Sequence, residues 1–228
     1  MRSRLSRRSF FGASTLALPT AAAAQPAASQ KTVKIIGISC SPRKGRTTAA
    51  AVQAALEAAR QSGPGIEIEF IDLGGLKMQG ALAAGIPLGE GERDDFPAIE
   101  ARLRAPEVAG IIVGTPVYFT NMSALAKEFF DRWMSFRKDF GLRNKVGGAI
   151  AVGAARNGGQ EVTLQTIHAA MLCQDMIIVS DGRPTARLGG ILVSAGEDIG
   201  KDEQGLATAR GLGRRVAEVA AMLRRGGA

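Results

Sequence analysis

Short, mostly apolar runs rich in β-branched residues alternate with longer helical segments along this chain, and this alternation constrains the fold more than any other feature. The first run, Val33–Ser39, reads Val-Lys-Ile-Ile-Gly-Ile-Ser and is typical of a strand buried on both faces of a parallel sheet. The pattern predicts further strands at 66–73, 109–115, 146–152 and 176–180, and helices at 47–61, 95–103, 122–137, 160–173 and 203–225. Five strands alternating with helices predict an α/β fold, a doubly wound five-stranded parallel sheet in three layers.

Composition excludes several classes of protein. The chain has 228 residues, of which 46% are hydrophobic, so it can bury the core of one sizeable domain and is not disordered. Two cysteines in so long a chain exclude a disulfide-based scaffold. Of the 29 basic residues, four arginines lie within the first 24 residues, which hold no acid, and the rest are interleaved with 21 acidic residues. This dispersed charge predicts no nucleic-acid partner.

Residues 1–24 predict a bacterial export signal, because a basic start precedes a short apolar stretch and small residues. The block Ser6-Arg7-Arg8-Ser9-Phe10-Phe11 resembles the twin-arginine motif, whose pathway moves folded proteins. We therefore expect cleavage near Ala24, a periplasmic location and no stable membrane span, since a spanning helix needs roughly 20 apolar residues. Residues 25–31 are then a linker and residues 32–228 form the domain. An arginine-rich amphipathic helix and an uncleaved leader that acts as an anchor are the alternatives.

The segment after the first strand has the composition of an anion site. In doubly wound sheets, ligands bind beyond the carboxyl ends of the strands, near the point where the strand order reverses. The segment supplies hydroxyls and cations at the start of the first predicted helix. Its candidate phosphate-binding residues are Ser41, Arg43, Lys44, Arg46, Thr47 and Thr48. The order Lys44-Gly45 excludes a P-loop, which needs Gly-Lys at this point. An ordinary polar turn with Thr47 or Thr48 as the helix cap is the alternative.

Two further segments follow the third and fourth strands. The segment after the third strand predicts a wall for a planar ring and contributes Pro116, Val117, Tyr118, Phe119 and Asn121. The segment after the fourth strand is rich in small residues that let the backbone approach a ligand, and contributes Ala155, Arg156, Asn157, Gly158 and Gly159. The alternatives are that Tyr118 and Phe119 belong to the core, and that the third segment is only a flexible turn.

Together these three segments resemble a known family. The Ser-Pro-Arg-Lys loop, the Thr-Pro-Val-Tyr-Phe-x-Asn-Met-Ser segment and the Arg-Asn-Gly-Gly-Gln-Glu loop are similar to those of the flavodoxin-like NAD(P)H-dependent FMN reductases. The branch with iron–sulfur flavoproteins and multimeric NAD(P)H:quinone reductases is the most similar, over residues 33–225. The resemblance implies that FMN binds with its phosphate at the first segment, its isoalloxazine at the second and its pyrimidine edge at the third.

The resemblance also implies an activity. We expect an FMN oxidoreductase that accepts hydride from NAD(P)H and passes electrons to a quinone or other small acceptor, without a catalytic side chain, because the flavin carries the chemistry. Related flavin sites lie near subunit interfaces, which implies a homo-oligomer. The alternative is a non-enzymatic FMN electron-transfer protein with a periplasmic redox partner, since an exported reductase lacks its usual donor. A flavin-free binding module is a third possibility, if Cys40 or the basic loop blocks FMN.

Other residues depart from the family or carry no function. Its iron–sulfur members have a cysteine cluster after the second strand, but residues 76–92 contain no cysteine, so we predict no cluster and no metal. Cys40 stands where the family often has glycine. The single histidine, His168, is expected to be structural, and a disulfide between Cys40 and Cys173 is not expected.

Overall fold

A computed structural model of the protein describes residues 32–194 and 196–226. The predicted export signal and linker, residues 1–31, lie outside the described residues. The strands are β1 (Val33–Ser39), β2 (Ile66–Asp72), β3 (Val108–Pro116), β4 (Val146–Gly153), β5 (Ile177–Ile178) and β6 (Gly190–Val193). The α-helices are α1 (Thr47–Arg60), α2 (Phe96–Arg104), α3 (Ala124–Arg132), α4 (Gln160–Leu172) and α5 (Glu203–Gly226), and 3-10 helices span Gly80–Ala84 and Trp133–Lys138.

The strands form one parallel sheet with the order β2-β1-β3-β4-β5. The chain moves outward from β1 to β2 and then returns to the other side of β1 for β3. The strand order therefore reverses between β1 and β3, which brings the segments after these two strands to the same edge. The prediction of a doubly wound parallel sheet is confirmed.

The fifth strand differs from the prediction. The run at 176–180 was expected to be one strand, but β5 has only two residues, and β6 continues the edge by pairing in parallel with the end of β4. Between them Asp181 accepts hydrogen bonds from Thr185 and the Arg187 N–H, and this turn takes the chain away from the sheet. The described residues thus form a six-stranded sheet. A four-residue run such as β6 is too short for periodicity to identify.

The third helix is also shorter than the predicted 122–137. It begins after Ser123, whose hydroxyl accepts a hydrogen bond from the Ala126 N–H (N···O 3.1 Å), as an N-cap does. It ends at Arg132, where the 3-10 helix Trp133–Lys138 takes over. None of the helices in the described ranges is long and apolar enough to cross a membrane.

Helices α1 and α5 pack on one face of the sheet, where glycines allow close contact. A Cβ at Gly37 of β1 would lie 2.6 Å from a side-chain carbon of Val52. At Gly213 of α5, a Cβ would overlap the Ala55 carbonyl oxygen of α1. The two helices can therefore lie this close together only because residue 213 is a glycine and has no side chain.

Helices α2, α3 and α4 cover the other face, over an aromatic core. The buried rings of Phe96, Phe129, Phe130, Trp133 and Phe136 lie with centroids 4.7 to 6.2 Å apart, mostly edge to face. This geometry suits the quadrupoles of the rings and adds about 0.5–1.5 kcal/mol per pair beyond burial. The cluster fixes α2 and α3 relative to each other, and with them the position of the segment after β3.

Replacing Gly213 with alanine is expected to destabilise the protein by about 1–3 kcal/mol, although alanine is the better helix former, because the new Cβ meets backbone that has no room to move. Urea unfolding at equilibrium measures the change. A matched control is Gly63→Ala, where nothing lies within 4 Å of the added Cβ. Equal stability of Gly213→Ala and wild type would show that α1 and α5 are not packed this closely.

Candidate functional site

The segment between β1 and α1 is held in place from β2. The Asp72 carboxylate, at the end of β2, accepts hydrogen bonds from the Gly45 N–H (N···O 2.7 Å) and the Gly74 N–H (N···O 3.0 Å). A Cβ at Gly74 would lie 2.7 Å from the Cα of Lys44, so only glycine lets the two segments cross. Asp72 and Gly74 thereby set the shape of the candidate phosphate loop.

The N-terminus of α1 leaves its first N–H groups available. Arg46 is the N-cap residue, with no hydrogen bond from its side chain to the helix, and the first turn contains no acid. The alternative that Thr47 or Thr48 caps the helix is therefore wrong. Ser41, Thr47 and Thr48 are buried beside this turn. Uncapped N–H groups, hydroxyls and the positive end of the helix dipole fit an anionic ligand.

The segment after β3 forms a tight turn that exposes two aromatic rings. The Tyr118 N–H donates to the Asn121 carbonyl (N···O 2.9 Å) and the Asn121 N–H donates to the Tyr118 carbonyl (3.1 Å). Phe119 and Thr120 between them have φ values of 51° and 61°. Tyr118 is 45% exposed and Phe119 fully exposed, so the alternative that they belong to the core is wrong. Pro116 and Val117 are half-buried at the base of the turn.

The hydroxyl of Ser123 joins the first two segments. It donates to the Cys40 carbonyl (O···O 2.7 Å) while it caps α3, and the Ser123 N–H donates to the Thr115 hydroxyl (N···O 3.0 Å). All of these groups are buried. A shift of either segment would therefore break a buried hydrogen bond and cost about 1–3 kcal/mol.

The segment after β4 lies against the second one, and its glycines serve the packing of the protein itself. Gly159 has a φ of 96°, and a Cβ there would lie 2.6 Å from the Thr120 side chain. At Gly158, a Cβ would lie 2.8 Å from the Ala155 carbonyl oxygen. The packing of the protein itself therefore requires glycine at both positions, whether or not a ligand binds there. Ala155, Arg156, Asn157 and Gly158 are exposed and the segment ends at the buried Gln160, whose amide donates to the Ala155 carbonyl (N···O 2.7 Å).

Asn121, a predicted ring-edge residue, is engaged within the protein. Its carboxamide oxygen accepts from the Met122 N–H (N···O 2.8 Å) and from the Thr166 hydroxyl on α4 (O···O 3.1 Å). The carboxamide oxygen of Asn121 therefore holds the turn against α4.

Two acidic residues after β6 pair with the candidate cations. Glu197 contacts Arg43 (O···N 2.8 Å) and Arg46 (3.1 Å), and Asp202 contacts Arg156. The remaining predicted cation, Lys44, is exposed in the loop that holds Arg43 and Arg46. The segment after β6 thus bridges the first and third segments.

The predicted site residues therefore meet at one edge of the sheet. Sequence reasoning missed the residues that organise them, which are Asp72, Ser123, Gln160, Glu197 and Asp202. Ser123 and Gln160 lie inside the quoted motifs, each next to a helix start, and that position was the available signal. Asp72 lies at a predicted strand end, but its partner Gly45 is 27 residues away, and no local pattern reveals such a pair.

Comparison with known proteins assigns the chain to a family. The family described as NADPH-dependent FMN reductase matches residues 33–187. The chain belongs to this family. An iron–sulfur flavoprotein of Methanocaldococcus jannaschii is 45% identical over 197 residues, which cover 85% of this chain and all of that protein. An NAD(P)H dehydrogenase (quinone) of Trichlorobacter lovleyi is 33% identical over 171 residues, 69% of this chain and 78% of that protein.

The structure of a flavodoxin, a WrbA-like protein from Agrobacterium tumefaciens, shares the fold. Its TM-score is 0.59 at 23% identity, and the match covers 84% of this chain and 99% of that one. The predicted flavodoxin-like fold is confirmed. This FMN reductase family member is therefore a flavodoxin-like flavoprotein of the oxidoreductase class.

The cysteines of this family member do not suit an iron–sulfur cluster, which takes four thiolates. The chain has two cysteines, and both are free thiols: Cys40 is buried and Cys173 is exposed. Burial, with the nearby charge of Asp72, raises the pKa of the Cys40 thiol well above its usual range, so it is not a reactive thiolate. No metal-holding group of three His, Cys, Asp or Glu residues occurs within the described part of the chain.

Burial also lowers the pKa of His168, whose ring is half-buried on α4. A histidine that is neutral at pH 7 and lies among helix residues fits the expected structural role.

Asp202 connects the segment after β6 to Arg156 of the segment after β4. Burial alone would raise its pKa, but hydrogen bonds from the Val193 N–H (N···O 2.7 Å), Arg156 and the Gly205 N–H (3.0 Å) lower it below the usual aspartate value. Because the folded pKa is the lower one, Asp202 stabilises the protein above the unfolded pKa of about 3.9. That stabilisation is lost as the pH falls through the folded pKa.

Asp202→Asn is expected to lower the free energy of unfolding by about 1–3 kcal/mol at pH 7, because an amide cannot accept all three hydrogen bonds. The difference in the free energy of unfolding between Asp202→Asn and wild type becomes smaller below about pH 4, where the carboxylate of the wild type takes up a proton. Denaturant unfolding from pH 3 to 7 measures it. Asp198→Asn, on the same segment but exposed, is the control, and a difference that is constant with pH would contradict the assignment.

Proposed function

We propose that this protein is an FMN-dependent oxidoreductase that takes hydride from NAD(P)H and passes electrons to a quinone or other small acceptor. One observation carries the proposal: an uncapped helix N-terminus that suits a phosphate lies at the same sheet edge as two exposed aromatic rings. Membership of the FMN reductase family supports the flavin and the class of reaction.

The donor set suits FMN at the phosphate end. The N–H groups of the first turn of α1 and the hydroxyls of Ser41, Thr47 and Thr48 would hold the phosphate, with no acid in that turn to repel it. The side chains of Tyr118 and Phe119 would lie along the ring, and residues 155–159 along its pyrimidine edge.

The flavin, when bound, supplies hydride and electron transfer. The residues of this chain would bind and orient the flavin, and Tyr118 and Phe119 would keep water from one side of its ring. The guanidinium of Arg156 would place positive charge near the pyrimidine edge, and its ion pair with Asp202 holds the guanidinium in position. No side chain at this edge needs to donate or accept a proton for such chemistry.

The acceptor is proposed to be a quinone or another small molecule that enters after the donor has left. The relative named NAD(P)H dehydrogenase (quinone) supports a quinone. Donor and acceptor would use the same face of the flavin in turn, which favours ping-pong kinetics.

The location and assembly of the protein are proposed with the function. The signal pattern in residues 1–24 supports export to the periplasm through the twin-arginine pathway. Exposed apolar side chains, Val162 and Leu172 on α4 together with Phe119, support a homo-oligomer that covers them. Export away from cytoplasmic NAD(P)H favours the second candidate, an FMN electron-transfer protein with a periplasmic redox partner.

The absorption spectrum of the purified protein, recorded before and after anaerobic NADPH, tests the function. A flavin spectrum that NADPH bleaches is the expected result. A spectrum that persists with NADPH and bleaches with dithionite would favour the electron carrier. No bound flavin even after addition of FMN would contradict both candidates.

Thr47→Val is expected to weaken FMN binding about tenfold, because one hydrogen bond to a charged phosphate is lost. Riboflavin lacks the phosphate and is the control ligand, and its affinity is expected to stay the same. Titrations that follow flavin fluorescence measure both dissociation constants. An equal loss for FMN and riboflavin would place the phosphate away from the start of α1.

A further inference from the structure

The segment after β6 reaches the candidate phosphate loop through the carboxylate of Glu197. One oxygen of Glu197 lies 2.8 Å from Arg43 Nη1, and the other lies 3.1 Å from Arg46 Nη1. The carboxylate therefore lies between two guanidinium groups that are 154 and 151 positions away in the sequence. We call Glu197 with its two arginines the Glu197 latch.

The latch lies beside the proposed phosphate position. Arg46 is the N-cap residue of α1, and Arg43 is in the same loop as the buried Ser41. The cations that would assist an anion at the helix start are thus already paired with a carboxylate of the protein.

The backbone at Glu197 is strained. Its φ is 71°, in the left-handed region that residues other than glycine seldom adopt. The side chains of Glu197, Arg43 and Arg46 are each about half exposed, at 53%, 50% and 56%. Exposed ion pairs are weak, so this contact can exchange for another at little cost.

We propose that Glu197 competes with the phosphate of FMN for Arg43 and Arg46 and thereby makes the flavin exchangeable. This inference rests on the proposed function. A phosphate carries more negative charge than a carboxylate and lies on the helix dipole as well, so it takes the arginines when FMN binds. When FMN leaves, the carboxylate takes them back.

The latch therefore lowers the affinity of the protein for FMN. Each FMN that binds must displace two ion pairs, and each FMN that leaves is replaced by them. A flavin held in this way exchanges with free FMN, which suits a reductase that releases its flavin.

The test compares Glu197→Gln with a matched control. Glu218→Gln removes the same charge from a glutamate on α5 that is equally exposed, at 53%, and also pairs with an arginine, Arg215. FMN is titrated into each protein at low ionic strength and followed by flavin fluorescence. Glu197→Gln is expected to bind FMN roughly threefold to tenfold more tightly than wild type, and Glu218→Gln equally to wild type.

Riboflavin and salt sharpen the test. Riboflavin carries no phosphate, so its affinity is expected to be the same in all three proteins. In about 1 M salt, where the Debye length is about 3 Å, the difference for FMN is expected to disappear. Glu197→Gly, which removes the charge and suits the positive φ, is expected to repeat the result if the glutamine variant folds poorly.

Unchanged or weaker FMN binding in Glu197→Gln and Glu197→Gly would overturn the latch. An equal increase in their affinity for riboflavin would overturn it too. Failure of the proposed function gives a different result, because the wild-type protein would then bind no FMN. The latch would be overturned as well in that case. A wild type that binds FMN, with affinities that do not respond to residue 197, removes the latch alone.

Discussion

The reversal of strand order between β1 and β3 is the constraint on which the site depends. In a parallel sheet buried on both faces, the segments that leave β1, β3 and β4 all emerge at one edge. The Ser123 hydroxyl then fixes the first two segments to each other through the Cys40 carbonyl. The proposed phosphate site and the proposed ring site are therefore held on segments that are fixed to each other.

Acidic residues organise this edge, although the ligand it suits is an anion. Asp72 shapes the phosphate loop, Asp202 holds Arg156 and Glu197 holds Arg43 and Arg46. Each carboxylate lies on a different element from its partner, so each joins two parts of the edge. The first turn of α1 contains no acid, so no carboxylate of that turn would repel a phosphate at the proposed position.

Most of the fold was predictable, because hydrophobic runs and helix caps are local signals. The helices at Thr47, Glu203 and Gln160 begin where the sequence predicted. The fifth strand was predicted wrongly, since an edge strand needs only a few hydrogen bonds and a buried Asp181 turn interrupts it. The site was predictable as three segments and not as a network, because the partners of Asp72, Glu197 and Asp202 are distant in sequence.

The sequence alone determined that strands and helices alternate, that three ligand-like segments follow successive strands, and that too few cysteines exist for a cluster. The tertiary structure alone decided that Phe119 is exposed, that the contact with Thr120 requires glycine at residue 159, and that Arg43, Arg46 and Arg156 are paired with acids. The physical reason is that the two kinds of interaction act over different separations along the chain. Periodicity and capping act over a few residues, whereas ion pairs and close backbone contacts form between segments that only folding brings together.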